Sequence, residues 1–188
     1  MKIMIQPLTL YNTSTISDVV SLLKEKVEAE FYTSPTLLQP PIKYFNFKRK
    51  QYNASKLLLW LHNETKEYNL DRVIGLAEID AYVEGLNFVF GIASENLKTA
   101  IVFTLRLRPD FYGLNFNYNV YLLRIVKEIL HELGHTLYLD HCSNRKCVMS
   151  FSNSIVDVDY KEAAFCKTCV NKLSTVGFKV KNGGILPI

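Results

Sequence analysis

Two histidines four residues apart, His131 and His135, frame a glutamate in the segment His131-Glu132-Leu133-Gly134-His135. On an α-helix, positions i and i+4 lie one turn apart on the same face, so the two imidazoles can chelate one ion. Glu132 is offset toward a water on that ion. Zinc sites that hydrolyse bonds keep three protein ligands and one exchangeable water, whose pKa the metal lowers toward about 7. Glu132 can then take the proton and later return it to a leaving amine. His141 is the candidate third ligand. Six residues beyond His135, it is too far around for the same helical face, so the chain must turn sharply to bring it in. An accidental His-Glu-x-x-His competes with this reading. It is disfavoured because both histidines lie opposite an apolar stripe of Leu122, Val126, Ile129, Leu133 and Leu137.

The four cysteines form two short-spaced pairs, Cys142-x4-Cys147 and Cys166-x2-Cys169. Four thiolates at such spacing can surround one tetrahedral zinc, a closed site with no position for water and therefore a structural one. Such a site supplies folding energy to a segment with a poor core, which suits residues 149–161. Two disulfides or four unrelated thiols are the alternatives. Cytoplasmic placement, the default expectation here, disfavours disulfides. That default rests on Met1 to Leu10, where Gln6, Pro7 and Thr9 interrupt any secretory signal, and on the short apolar cluster Leu57 to Leu61. A membrane span needs roughly 20 apolar residues.

With 188 residues, 48% hydrophobic and 21% charged, the composition is that of one ordinary globular domain. The net charge of +4 is spread along the chain. Its densest run, Lys43 to Lys50, interleaves Lys43, Lys48, Arg49 and Lys50 with Tyr44, Phe45 and Phe47. Such a run can bind nucleic acid, since aromatics stack on bases, but the modest overall charge favours a solvated edge. Periodicity predicts a strand at 2–8, a helix from Ser14 through Val27, an extended stretch at 31–38 and a helix at 52–64. His62, near the end of that helix, reads as a surface or capping residue. Strands at 72–81, 87–93 and 99–107 follow, then the clearest helix, 120–137, with Arg124, Glu128, His131, His135 and Tyr138 on its polar side. A short helix is expected around 161–173.

The run His131-Glu132-Leu133-Gly134-His135 through His141-Cys142, then Cys147-Val148-Met149 and Cys166-Lys167-Thr168-Cys169, resembles the archaemetzincin branch of the metzincin zinc peptidases. The resemblance covers the C-terminal half and reaches back through Gly85 to Gly91. It implies an α/β fold, a metzincin-like zincin domain with a mixed sheet, an active-site helix and a small zinc-bound C-terminal subdomain. Residues 1–138 would form the upper half and 139–188 the lower. The resemblance makes His131, His135 and His141 ligands of a catalytic zinc, Glu132 the general base and acid, and Met149 the floor beneath the metal. It gives the four cysteines a second, structural zinc. It also makes residues 87–93 an edge strand that holds a peptide by strand addition. Tyr138 departs from the family pattern, which has glycine at the helix end. Should the turn need positive φ, tyrosine would cost on the order of 1 kcal/mol and crowd the cleft. The implied activity is peptide-bond hydrolysis, as an aminopeptidase or a small endopeptidase, by a monomer acting on peptide or protein with no membrane or nucleic-acid partner. The rival readings are a zinc protein of the same fold whose activity Tyr138 has weakened and, lower, a nucleic-acid-binding zinc ribbon.

Overall fold

The computed structural model describes residues 1–187. Strand β1 (Lys2–Pro7) leads into helix α1 (Thr13–Lys26), and β2 (Glu30–Thr33) returns alongside it. Two short strands, β3 (Phe45–Asn46) and β4 (Gln51–Asn53), precede α2 (Ala54–Thr65). Then come β5 (Arg72–Ala77), β6 (Ala81–Tyr82), β7 (Gly91–Ser94) and β8 (Thr99–Phe103). Helix α3 (Tyr118–Thr136) carries His131 and His135, and α4 (Ile155–Tyr160) and α5 (Lys167–Thr175) follow it.

The main sheet has the order β2-β1-β5-β8-β7. The first four strands are parallel and β7 runs antiparallel to β8 at the edge. Alternation along the strands divides the core. Ile3, Ile5, Ile74, Leu76, Ala100 and Val102 face α1 and α3, whereas Val73, Ala77, Ile101 and Phe103 face Leu57, Leu58 and Leu61 of α2. A second sheet, β3-β4-β6, lies beside the first.

Several expected boundaries move, each for a local reason. The strand expected at 87–93 occupies Gly91–Ser94 instead. Residues before it leave the ladder because side chains satisfy their backbone: Arg49 donates to Leu86 O and Asn87 O, and Gln51 Nε2 to Asn87 O. Arg49 also stacks on Tyr82, so one cation of the basic run anchors this loop. The strand expected at 99–107 ends at Phe103, and Leu105–Leu107 forms a 3-10 turn in which Arg106 grips Asp80 at 2.6 and 2.7 Å. The segment 72–81 splits into β5 and the start of β6, and the extended stretch at 31–38 holds a strand only at Glu30–Thr33. Helix α2 starts at Ala54 because residues 51–53 pair in the small sheet and Asn53 caps Lys56 N–H. The C-terminal region holds two short helices where one was expected. Among the described residues no helix is long and apolar enough to cross a membrane.

Candidate active site

Helix α3 begins where the Asn117 side chain accepts from Val120 N–H, and it ends in a hydrogen-bonded turn. Leu139 N–H reaches Gly134 O at 3.0 Å and Tyr138 N–H reaches His135 O at 3.1 Å, the paired bonds of a Schellman motif. Its left-handed position is Tyr138, with φ of +66°. The positive φ considered from the sequence is therefore present, borne by a residue with a Cβ. The ring is 63% exposed and lies outside the lining of the histidine cleft. It borders a neighbouring depression with Ala93, Glu95, His135 and Asp140, so it does not roof the site.

The turn delivers His141 to the other two histidines. One nitrogen from each of His131, His135 and His141 lies within 4.8 Å of the others. The Nδ1 atoms of His131 and His135 sit 2.8 Å from Val148 O and 2.7 Å from Leu139 O. A carbonyl can only accept, so each Nδ1 carries the proton and each Nε2 presents a lone pair. Those two Nε2 atoms are 3.1 Å apart. Two facing lone pairs repel unless a cation lies between them, and a tetrahedral zinc with bonds of about 2.0–2.1 Å needs its nitrogens roughly 3.3–3.4 Å apart. The arrangement fits that ion. Burial, then the Lys161 ammonium, holds His131 well below the usual imidazole value, and burial also lowers His135 and His141. Neutral imidazoles are the form that binds metal.

Glu132 lies in the same cleft, pressed against the edge strand. A Cβ on Gly91 would overlap the Glu132 carboxyl group, so glycine there lets β7 approach it. Burial and then the charge of Glu128 push the Glu132 carboxyl well above its usual value, opposed by Lys161. Beneath the helix, Met149 is fully buried, and a Cβ on Gly134 would overlap its Sδ and lie 3.0 Å from its Cε. Met149 thus packs directly against the helix that carries His131 and His135.

The cysteines also converge. Cys142 Sγ is 3.7 Å from Cys166 Sγ and Cys147 Sγ is 3.8 Å from Cys169 Sγ, with all four sulfurs within 4.8 Å of one another. A disulfide needs about 2.05 Å, whereas tetrahedral zinc–sulfur bonds of about 2.3 Å place sulfurs roughly 3.8 Å apart. The spacing fits a zinc. The hydrogen bond with Cys169, then backbone N–H groups, pull the Cys147 thiol down to about 5.

The polar face of α3 is buried against the end of α4, which the helical pattern did not reveal. Arg124 makes two bonds of 2.7 Å to Asp159, Lys127 Nζ donates to Val158 O and Asp159 O, and Lys161 Nζ lies 2.9 Å from Glu128 Oε1. These contacts fix the rotation of the histidine helix. Sequence reasoning missed them, since no local spacing links positions 124–128 to 158–161.

Three imidazoles beside a carboxyl under a sheet edge form a donor set that suits a hydrolytic zinc, and comparison with known proteins agrees. The sequence profile of peptidase family M54 matches residues 14–175. The archaemetzincin of Methanocaldococcus jannaschii is 43% identical over 182 residues, 96% of this chain and 97% of that protein. That of Saccharolobus solfataricus is 42% identical over 173 residues, covering 92% and 93%. Among solved structures, the archaemetzincin of Archaeoglobus fulgidus complexed with malonate superposes with a TM-score of 0.78 at 37% identity, covering 92% of this chain and 99% of that one. The Methanopyrus kandleri archaemetzincin gives 0.77 at 35%, covering 93% and 94%. The chain belongs to peptidase family M54, the archaemetzincins, a family of zinc metallopeptidases. The likeness extends well upstream of Gly85, the family profile matching from residue 14.

Proposed function

We propose that the chain hydrolyses peptide bonds with Glu132 as the group that moves the proton. The observation that carries this is the pair of Nε2 lone pairs 3.1 Å apart, beside Glu132 in one cleft under a free sheet edge. His131, His135 and His141 would hold the zinc, which when bound polarises the scissile carbonyl and lowers the pKa of a water. Glu132 accepts that water's proton, and its burial favours holding it until the amine leaves. The outer side of β7 is unpaired among the described residues and offers backbone groups to an extended peptide. Val148 O and Leu139 O orient the two helix histidines. The four cysteines would hold a second zinc that clamps residues 142–169, and one core running from Ile3 to Phe178 supports a single domain in which 139–188 is a subdomain.

Strand β7 runs in the same sense as α3, from Gly91 beside Glu132 toward Glu95 beside Tyr138. A peptide antiparallel to β7 places its amino-terminal side in the depression bordered by Glu95 and Asp140. Two carboxylates there suit an ammonium group, which supports aminopeptidase activity.

The test is Glu132→Ala in zinc-replete protein, assayed on free and acetylated peptides. Zinc content should persist while turnover falls about a hundredfold or more. Undiminished turnover would overturn the role of Glu132, and equal cleavage of acetylated peptides would overturn the aminopeptidase assignment.

A further inference from the structure

One turn before Glu132, the same helix face carries a charge that the hydrolysis does not use. Glu128 is 2% exposed yet lines the cleft with His131 and Glu132. Its Oε1 faces Lys161 Nζ at 2.9 Å, and Lys161 is fully buried. The pair is close without being aligned: neither atom makes a hydrogen bond, and Ser152 Oγ in the same cleft lining also lacks one. Among the described residues only one further buried side-chain atom, Gln6 Oε1, shares that condition. Buried polar atoms in native proteins are almost always satisfied, so the Glu128 end of the cleft marks where a polar group arrives.

The position of that end relative to the reaction follows from strand polarity. A peptide antiparallel to β7 has its amino-terminal side toward Glu95 and Tyr138, which leaves Glu128 on the carboxyl-terminal side of the scissile bond. The cleft walls include the apolar Val83, Leu86, Phe88 and Val89, and the whole cleft encloses about 240 Å³. That combination suits a side chain with a long aliphatic stem and a cationic tip. Leucine would fill the walls and leave the floor unpaired. An acidic side chain would meet Glu128 before Lys161, because Lys161 is behind it and outside the cleft lining.

We infer that Glu128, braced from behind by Lys161, selects a lysine or arginine as the residue that follows the scissile bond. The inference rests on the peptidase reading above for the direction of the substrate. A carboxylate has room for further donors beside the ammonium it already meets, so a second cation adds bonds without displacing Lys161.

The experiment uses the zinc-loaded full chain and peptides identical except for lysine, arginine, norleucine or glutamate after the cleaved bond. The basic peptides should exceed norleucine in kcat/KM by at least about tenfold, the scale of a hydrogen bond to a charged group, and glutamate should be the poorest. Glu128→Gln should bring the lysine-to-norleucine ratio toward one. That change leaves Lys161 buried without its partner, so Glu128→Gln/Lys161→Met, which removes both charges, guards against a folding defect and should lose the preference equally. Calorimetric binding of lysyl-alanyl-alanine amide against its norleucyl counterpart reads the pocket without turnover. No cleavage of any peptide, with lysyl binding still the tighter, would reject the peptidase reading and leave the pocket supported. Equal binding of the two peptides, or norleucine favoured in the wild type, would overturn the inference and assign the floor to water.

Discussion

Gly134→Ala separates the packing beneath the active-site helix from the intrinsic preferences of that helix. Helix propensity alone favours alanine over glycine by about 1 kcal/mol. The structure opposes this, because the new Cβ would overlap Met149 Sδ and sit 3.0 Å from its Cε. Met149 is fully buried, and its chain is held by the bond from Cys142 N–H to Met149 O at 2.9 Å. Overpacking of this kind costs about 1–3 kcal/mol. Taking the middle of that range, the net effect is a loss of about 1 kcal/mol. For a chain of this length that lowers Tm by about 2–4 °C, where propensity alone would raise it as much. The assay is thermal denaturation at saturating zinc of wild type, Gly134→Ala, Met149→Ala and the double variant. Met149→Ala alone should cost about 2–5 kcal/mol by leaving a cavity. In that background the alanine methyl has space, so Gly134→Ala should become stabilising, with a coupling of about 2 kcal/mol between the sites. A rise in Tm for Gly134→Ala in the wild-type background, or a coupling near zero, would refute the contact as the reason for glycine at this position.

Metal analysis of reduced protein should find close to two zinc ions per chain; His135→Ala should lose one and stay folded, and Cys166→Ser should lose the other and unfold the C-terminal region. Finding one ion in the wild type would show that the two clusters do not both bind. Tyr138→Gly relieves a φ of +66°, a strain of about 1–3 kcal/mol, but loosens the unfolded chain by about 0.4–1 kcal/mol, so stability measured by denaturation should rise slightly. Because the ring lies outside the cleft lining, Tyr138→Phe should keep full turnover, and a tenfold loss would make the hydroxyl a catalytic donor. The Asp157 carboxyl is held below its usual value, first by the Ser154 hydroxyl. Its contribution is complete above the unfolded value of 3.8 and is lost as pH falls below it. Asp157→Asn should therefore flatten the acid limb of a stability-versus-pH profile below that value, and an unchanged limb would show that the carboxyl is not a stabilising contact.

The histidine site was legible because its chemistry is local. His131, Glu132 and His135 share a helix, and the need for a sharp turn to His141 follows from counting residues. The sulfur cluster was legible for the same reason, since two short pairs leave only the closure between them to the fold. What was not legible depends on distant partners. The backbone of Leu86 and Asn87 is satisfied by Arg49 and Gln51, so an apolar run that reads as strand becomes a loop lining the cleft. Arg124 falls on the polar side of the helix by periodicity, yet it and Lys127 are buried because Val158 and Asp159 supply acceptors to them. Glu128 and Lys161 are invisible as a pair for the same reason, as neither residue has a local signal for the other.

Residues 147–149 explain why the two clusters stand together. Cys147 contributes its sulfur to the cysteine cluster, Val148 O meets His131 Nδ1 at 2.8 Å, and Met149 packs under Gly134. On the same strip, Val148 N–H is bonded to Ala164 O at 2.8 Å and Cys142 N–H to Met149 O at 2.9 Å, so the backbone between the sulfurs is tied on both sides. Any ion that orders the cysteines therefore also fixes the carbonyl that sets the tautomer of His131. The coupling must run in both directions: ordering His131 against Val148 O favours the backbone placement that brings Cys147 to its three partners. The sequence order His141-Cys142, which puts a member of each cluster on neighbouring residues, is then a consequence of one strip of backbone serving both clusters.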